Sequence, residues 1–151
     1  MQELLQFSNS LDGSPTVEVW KRTRRSGFES LILRTTADLI DQGFITTVNH
    51  EADHYVIGMK YRSTNYPIAA IVFEPRLSQN QVHVILGAVD SRFQRQGYYE
   101  SLFGHLKDFV RNYFPTVKQI TGCYHVNNKA AAAMNRKLGR EPVRVNTSLN
   151  L

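Results

Sequence analysis

Residues 50–54 read His50-Glu51-Ala52-Asp53-His54, the H-E-x-x-H spacing with which one helix face offers two imidazoles to a zinc ion and a carboxylate to a water. Glu74 follows at a distance where a third ligand can stand. That chemistry needs a helix, because only there do residues four apart share a face. The surroundings predict otherwise. Gly43 precedes the pattern and Gly58 follows it, and the flanks FITTVN and YVIGMKY are rich in the β-branched and aromatic residues that favour strands. Glu74 falls in a strand-like run directly before Pro75. The longer form of the motif needs a glycine and a histidine where Ile57 and Lys60 stand. The five residues therefore read as a solvent-facing loop, and no metal is expected.

A second grouping begins at His83. The run VILGAVDSRFQRQGYYESLFGHLKDF is a buried strand, a basic turn with one glycine, and a long helix. A strand that feeds a helix N-terminus leaves several backbone N–H groups without partners, and with the helix dipole they favour an anion. Gly97 permits tight backbone geometry there, and Arg92 and Arg95 raise the local potential. Many ordinary strand-helix turns share these features.

The elements that must hold these groups follow from periodicity. Residues 16–22 alternate like a strand. Ser26 and Glu29 have the S-x-x-E spacing of a capping box, and Phe28, Leu31 and Ile32 follow at helical spacing. Leu39 and Ile40 predict a second short helix stopping at Gly43. Residues 54–62, 66–74 and 82–89 predict an antiparallel meander. Gly97 opens an amphipathic helix that Pro115 stops, 117–126 reads as a strand, and a helix from Asn128 ends at Gly139. Residues 142–149 predict a last strand. Trp20 and Phe28 are expected to pack the first strand on the first helix, and Cys123 to be a small hydrophobe in a buried strand.

At this point the residues resemble a family. Gln94-Arg95-Gln96-Gly97-Tyr98-Tyr99 resembles the Q/R-x-x-G-x-G/A pyrophosphate loop of the GNAT N-acyltransferase superfamily. Asn128-Lys129-Ala130-Ala131 and Lys137-Leu138-Gly139 resemble its N-x-x-A…K-x-G segment. The likeness covers residues 54–145, and the front third only by element order. The central motif is nearest to the histone-acetyltransferase-like branch.

The resemblance implies a mixed α/β fold, with a mostly antiparallel twisted sheet, helices on both faces, and a splay between two central strands. It implies acetyl-CoA in a V-shaped opening between the strands at 82–89 and 117–126. The pyrophosphate would take backbone N–H bonds from Gln94, Arg95, Gln96, Gly97, Tyr98 and Tyr99. The pantetheine arm would pair with the backbone of Leu86 to Val89, including Ala88, and Asn128 would be the cofactor-side asparagine. The acyl group would pass directly to an amine, with one group removing the amine proton and another protonating the thiolate. His83 stands where that branch has its glutamate base, and a structural sheet histidine is an equal reading. Glu74 is a second base candidate or a surface carboxylate before a turn. Two departures matter: Tyr99 replaces the loop's second small residue, and Asn135 replaces a tyrosine that often protonates the thiolate. Tyr124, Tyr98 and His125 are the nearby candidates for that acid.

The bulk numbers allow this reading without requiring it. At 151 residues, with 42% hydrophobic and 21% charged residues and no linker or repeat, residues 1–151 are expected to form one domain. No membrane span or leader pattern stands out, and the single Cys123 fits a reducing compartment, so a cytoplasmic location is expected. The net charge of +5 suits an acidic partner, a phosphorylated cofactor or nucleic acid. Lys21-Arg22-Thr23-Arg24-Arg25 is a solvated strand end or a phosphate-backbone track. Three functions stay open: an acetyl-CoA-dependent acyltransferase acting on an amine-bearing small molecule or protein, a turnover-impaired binding module, and an acyltransferase modifying a nucleobase. The substrate side would be shaped by the first two helices and the 62–67 turn. A chain ending at Leu151 is expected to lack the family's last strand, which a homodimer partner would supply.

Overall fold

Residues 66–74, YPIAAIVFE, are apolar at consecutive rather than alternate positions, the pattern of a strand covered on both faces. The described sheet has six strands: β1 (Leu4–Ser8), β2 (Thr16–Trp20), β3 (Tyr55–Tyr61), β4 (Tyr66–Arg76), β5 (Gln81–Val89) and β6 (Gln119–Gly122), lying side by side in that order. The structure, a computed structural model, describes residues 4–8, 15–48, 50–61, 63–125 and 127–141. Neighbouring strands pair antiparallel except β5 and β6, which run parallel. A parallel pair needs a crossover, and α2 (Tyr98–Tyr113) supplies it. The other helices are α1 (Glu29–Asp41) and α3 (Lys129–Lys137). No helix among the described residues is long and apolar enough to cross a membrane.

The sheet separates two apolar layers. On one face Leu102, Phe103, Leu106, Phe109 and Val110 of α2 pack against Val17, Val19, Ile57, Met59, Ile71 and Phe73. On the other, Leu31 and Ile32 of α1 join Phe28 over Val56, Ala70 and Val72. Each such side chain contributes about 1.5–3 kcal/mol when fully buried, so seating α1 and α2 outweighs any single capping interaction.

A bulge then changes which face β5 presents. Val72 pairs with Leu86 but Phe73 pairs with Val84, so Ile85 is the extra residue. Val82 and Val84 consequently join the α2 layer, while Leu86 and Ala88, also at even positions, join the α1 layer. The bulge lies two residues from His83.

Several boundaries differ from expectation. Leu39 and Ile40 extend one continuous α1 rather than starting a second helix, because no residue before Asp41 breaks the backbone ladder. The capping residues sit just ahead of it: Glu29 accepts the N–H groups of Gly27 (2.8 Å) and Arg25 (3.0 Å), and Ser26 Oγ accepts that of Phe28 (3.3 Å). The first expected strand ends at Trp20, and β4 continues through Pro75 to Arg76. β6 covers 119–122 rather than 117–126, since its ladder ends where β5 diverges. Cys123 is therefore exposed, just past the strand's end, rather than buried within it. β1 was not foreseen. The expected strand at 142–149 lies outside the described residues.

Candidate active site

The parallel pairing of β5 with β6 runs from Gln81 and Gln119 to Val84 and Gly122 and stops there. β5 continues to Val89. From Leu86 to Val89 its far edge faces no strand among the described residues, which makes an opening with a backbone wall. That wall leads into a short 3-10 turn (Ser91–Phe93), then into residues 94–97 and the first turn of α2.

This turn is shaped to expose backbone N–H groups. Gly97, the N-cap of α2, has φ +83°, a left-handed conformation that glycine adopts without strain, and Arg95 is also left-handed at φ 62°. The first helical bond runs from the Ser101 N–H to Gly97 O (3.1 Å), so the amides of Tyr98, Tyr99 and Glu100 come before the intrahelical ladder. Gln94, Arg95, Gln96 and Gly97 are exposed. Gln94 Nε2 donates to Val89 O (3.4 Å) and Gln96 Nε2 to Arg92 O (3.2 Å), so both side chains brace the turn.

Asp90, which sequence reasoning passed over, anchors the whole segment. It is 2% exposed, accepts from the Arg92 N–H (3.0 Å) and the Tyr66 hydroxyl (3.0 Å), and pairs with Arg34 of α1 (3.5 Å) and Arg92 (3.4 Å). Arg92 also lies 4.1 Å from the Tyr66 ring centre. Arg92, though exposed, is thus held by Asp90 as a structural cation, and Arg95 is the second exposed arginine of the turn. Of the 62–67 segment expected beside the acceptor, the described turn 63–65 leads into β4 at Tyr66, which is tied to this anchor. Asp90→Asn keeps the shape and loses the charge; it is expected to cost about 1–2 kcal/mol, read as a lower urea midpoint at unchanged slope.

The two tyrosines diverge. Tyr98 OH meets Tyr61 OH (3.2 Å), and its ring stands edge-on to Phe93. That hydrogen bond, then burial, raises the Tyr98 pKa, so it is a poor acid. Tyr99 turns inward against Gly87. A Cβ built on Gly87 lies 2.6 Å from the Tyr99 hydroxyl oxygen, so the small residue missing from the loop reappears on the strand opposite. Burial raises the Tyr99 pKa, and Arg140 opposes that shift.

On the α1 face, the row Glu74–His83–Thr121 crosses β4, β5 and β6 in register. His83 Nδ1 meets Thr121 Oγ1 at 2.9 Å. Burial, then Arg76, holds the His83 pKa below the usual 6.5; Glu74 pulls it up and Arg140 lowers it further. A neutral imidazole therefore stands one residue before the end of the β5–β6 pairing. Glu74 is partly exposed and also contacts Arg76 (3.6 Å) and His54 Nε2 (3.5 Å). The loop after α1 reaches over toward the segment beyond β6, with the Phe44 and His125 rings 5.8 Å apart.

The structure pairs Glu74 with His83 across β4 and β5, and at the other end of β5 it joins the Leu86–Val89 edge to the 94–99 turn. Tyr124 is exposed in the segment after β6, near enough to Arg140 for their charges to interact. Asn128 is the N-cap of α3, its Oδ1 accepting the Ala131 N–H (3.1 Å). Residues 50–54 lie in coil and turn, as their flanks predicted. His50 meets Thr36 Oγ1 (3.4 Å), and His54 Nδ1 accepts the Glu51 N–H (2.9 Å). Among the described residues no group of three or more histidine, cysteine or acidic side chains is placed to hold a metal ion.

No protein-family model and no curated protein sequence matches the chain. Solved structures do match it. An aminoglycoside acetyltransferase from an uncultured soil metagenomic sample, in complex with trehalose, superposes with a TM-score of 0.66 at 16% identity, covering 94% of this chain and 99% of that one. The aminoglycoside enzyme AAC(6')-Iy, bound to a bisubstrate analogue of coenzyme A, gives 0.65 at 12% identity over 89% of this chain and 96% of that one. The catalytic domain of the Tetrahymena GCN5 histone acetyltransferase, in complex with coenzyme A, gives 0.63 at 16% identity over 92% and 82%. At these identities the likeness is one of fold, and the fold is that of the GNAT acyltransferases.

Proposed function

We propose that residues 1–151 form one N-acyltransferase domain that moves an acetyl group from acetyl-CoA directly to a primary amine. The observation that carries this reading is the continuity of the β5 edge with the α2 N-terminus. Past Val84 that edge offers backbone to an extended arm with amide groups, and it ends on a turn that favours an anion. Pantetheine followed by a pyrophosphate has that order of chemistry. Leu86, Ala88 and Val89 would hold the arm by their backbone. Residues Gln94 to Tyr99 would hold the phosphates, with Arg95 adding charge, and Asn128 would flank the cofactor.

His83 is the proposed base. Its depressed pKa keeps it neutral near pH 7, as proton removal requires. With Nδ1–H donating to Thr121, Nε2 carries the lone pair that takes the amine proton. Glu74 favours the imidazolium that results. A backbone N–H near the Ile85 bulge would meet the developing oxyanion, and holding the two substrates in line supplies much of the remaining acceleration. The acceptor would approach from the α1 face, under Phe44 and His125.

The test is the melting temperature with acetyl-CoA, free coenzyme A and ATP. At ligand about 100-fold above its Kd, stabilisation is about 2.7 kcal/mol, a rise of roughly 5–10 °C for a chain of this size. A rise with both coenzyme A species and not with ATP is expected, and no shift at millimolar ligand sinks the reading. Asn135, an amide committed to Ala131 O and Arg140 where the resemblance implies a proton donor, favours a second reading, a site that binds coenzyme A without turnover, for which a screen of amines would show binding and no product.

A further inference from the structure

Asn135, in α3, uses both ends of its amide. Nδ2 donates to Ala131 O (2.8 Å), and Oδ1 accepts from Arg140 Nη1. The guanidinium is thereby held on the α2 side of β6. Its Nη2 is 2.7 Å from where a Cβ on Gly122 would stand, and that same point is 3.5 Å from Val84 O. Val84 and Gly122 are the last β5–β6 pair, so the cation lies over the point where the strands part. The guanidinium carbon is 5.5 Å from the Phe103 ring centre, and Tyr99, Cys123, Tyr124 and His83 are close enough to interact with its charge. Arg140 is partly buried, and among the described residues no carboxylate pairs with it. A cation withdrawn from water without a counter-anion is unfavourable until an anion arrives.

We propose that Arg140, aimed by Asn135, receives the negative charge that develops on sulfur as the acyl group leaves coenzyme A, so that no proton donor is needed at position 135. This deepens the acyltransferase reading and rests on it. The amine lone pair forms the C–N bond to the thioester carbonyl carbon, the C–S bond breaks with its electron pair on sulfur, and His83 takes the proton from nitrogen. Arg140 keeps its own protons, as a guanidinium does, and faces the thiolate. His83 returns its proton to solvent and the thiolate takes one from solvent, so amine plus thioester become amide plus thiol. A fixed cation beside a thiol favours the thiolate. Arg140 acts on the reacting sulfur; Asn135 is a positioning residue.

The test compares coenzyme A with desulfo-coenzyme A, which lacks the sulfur, by calorimetric Kd across neutral to alkaline pH, together with the ultraviolet absorbance of bound thiolate. In the wild type, coenzyme A is expected to gain affinity over the desulfo compound as pH rises, with the bound thiol titrating below the ordinary thiol range near about 8.5. Arg140→Gln is expected to move that titration up by about one pH unit and to remove about 10-fold of the preference, leaving desulfo-coenzyme A binding unchanged. Asn135→Ala is expected to move it partway, and Arg140→Lys, which keeps the charge, to retain most of the effect. Melting curves of all three variants without ligand check that the fold is kept. Equal loss of both ligands in Arg140→Gln, or an unmoved thiol titration, overturns the proposal while the cofactor reading stands. Failure of the folded wild type to bind either ligand overturns the cofactor reading itself, and this proposal with it.

Discussion

Gly58→Ala is expected to destabilise the protein by about 3 kcal/mol, the upper end for overpacking a filled core. A Cβ at position 58 would stand 2.2, 2.4 and 2.5 Å from three carbons of the Phe28 ring. Phe28 is fully buried and stands at the N-cap of α1, so its ring cannot move aside without shifting the helix. A mid-strand glycine is otherwise unfavourable, so its presence in β3 answers the ring above it. The ring is further fenced by Lys60, 5.8 Å from its centre and paired with buried Glu18 at 3.0 Å. For a chain of this length the melting temperature should fall by roughly 6–12 °C. The decisive comparison is a cycle with Phe28→Leu, which shortens the side chain. In that background Gly58→Ala should cost less than about 1 kcal/mol. Full additivity of the two changes would show that the glycine serves something other than the ring.

The parts of this fold that were legible in the sequence are those set by local signals. The apolar run of β4, the stripe of α2 and the stop before Pro115 follow from sequence pattern and proline chemistry, and both elements formed there, β4 running two residues further than expected. Boundaries set by a neighbour were not legible. β6 stops at Gly122 because β5 turns away, and nothing in VKQITGCYHV records that. β1 escaped notice because LLQFS is too short for a period to stand out.

The same division runs through the candidate site. The glycine made the turn at Gln94–Gly97 legible, whereas the roles proposed for Gln94 to Tyr99 and for His83 rest on the family resemblance. Asp90 did not, because an aspartate after a strand looks like ordinary turn chemistry until Arg34, Arg92 and Tyr66 are seen to converge on it. Tyr99 read as a departure from a small residue, and its compensation at Gly87 is visible only once the two are opposed. Arg140 carried no signal at all, since its position depends on a hydrogen bond it donates to Asn135 and on space above Gly122.

His83→Gln is expected to lower kcat for amine acylation by about 100-fold or more, the range over which a positioned base acts. Glutamine keeps a polar group beside Thr121 but cannot take up a proton. Because His83 sits on the α1 face and the proposed coenzyme A wall is β5 backbone, the thermal shift with acetyl-CoA should be unchanged, which separates loss of chemistry from loss of binding. The pH profile sharpens the test. The wild-type rate should hold through neutral pH and fall only below an ordinary imidazole pKa, since burial and Arg76 hold His83 below 6.5. The variant should lose that acidic limb. The same depression has a consequence for stability. As pH falls through about 6.5 the unfolded chain takes up a proton that the folded chain still refuses, so stability declines until the folded pKa is reached. His50, depressed by burial and by His54, adds to the decline. His83→Gln should therefore flatten part of the acid dependence of the urea midpoint while His50 sustains the rest. An unaltered rate and pH profile in the variant would move the base elsewhere, and Glu74→Gln would be the next substitution to measure.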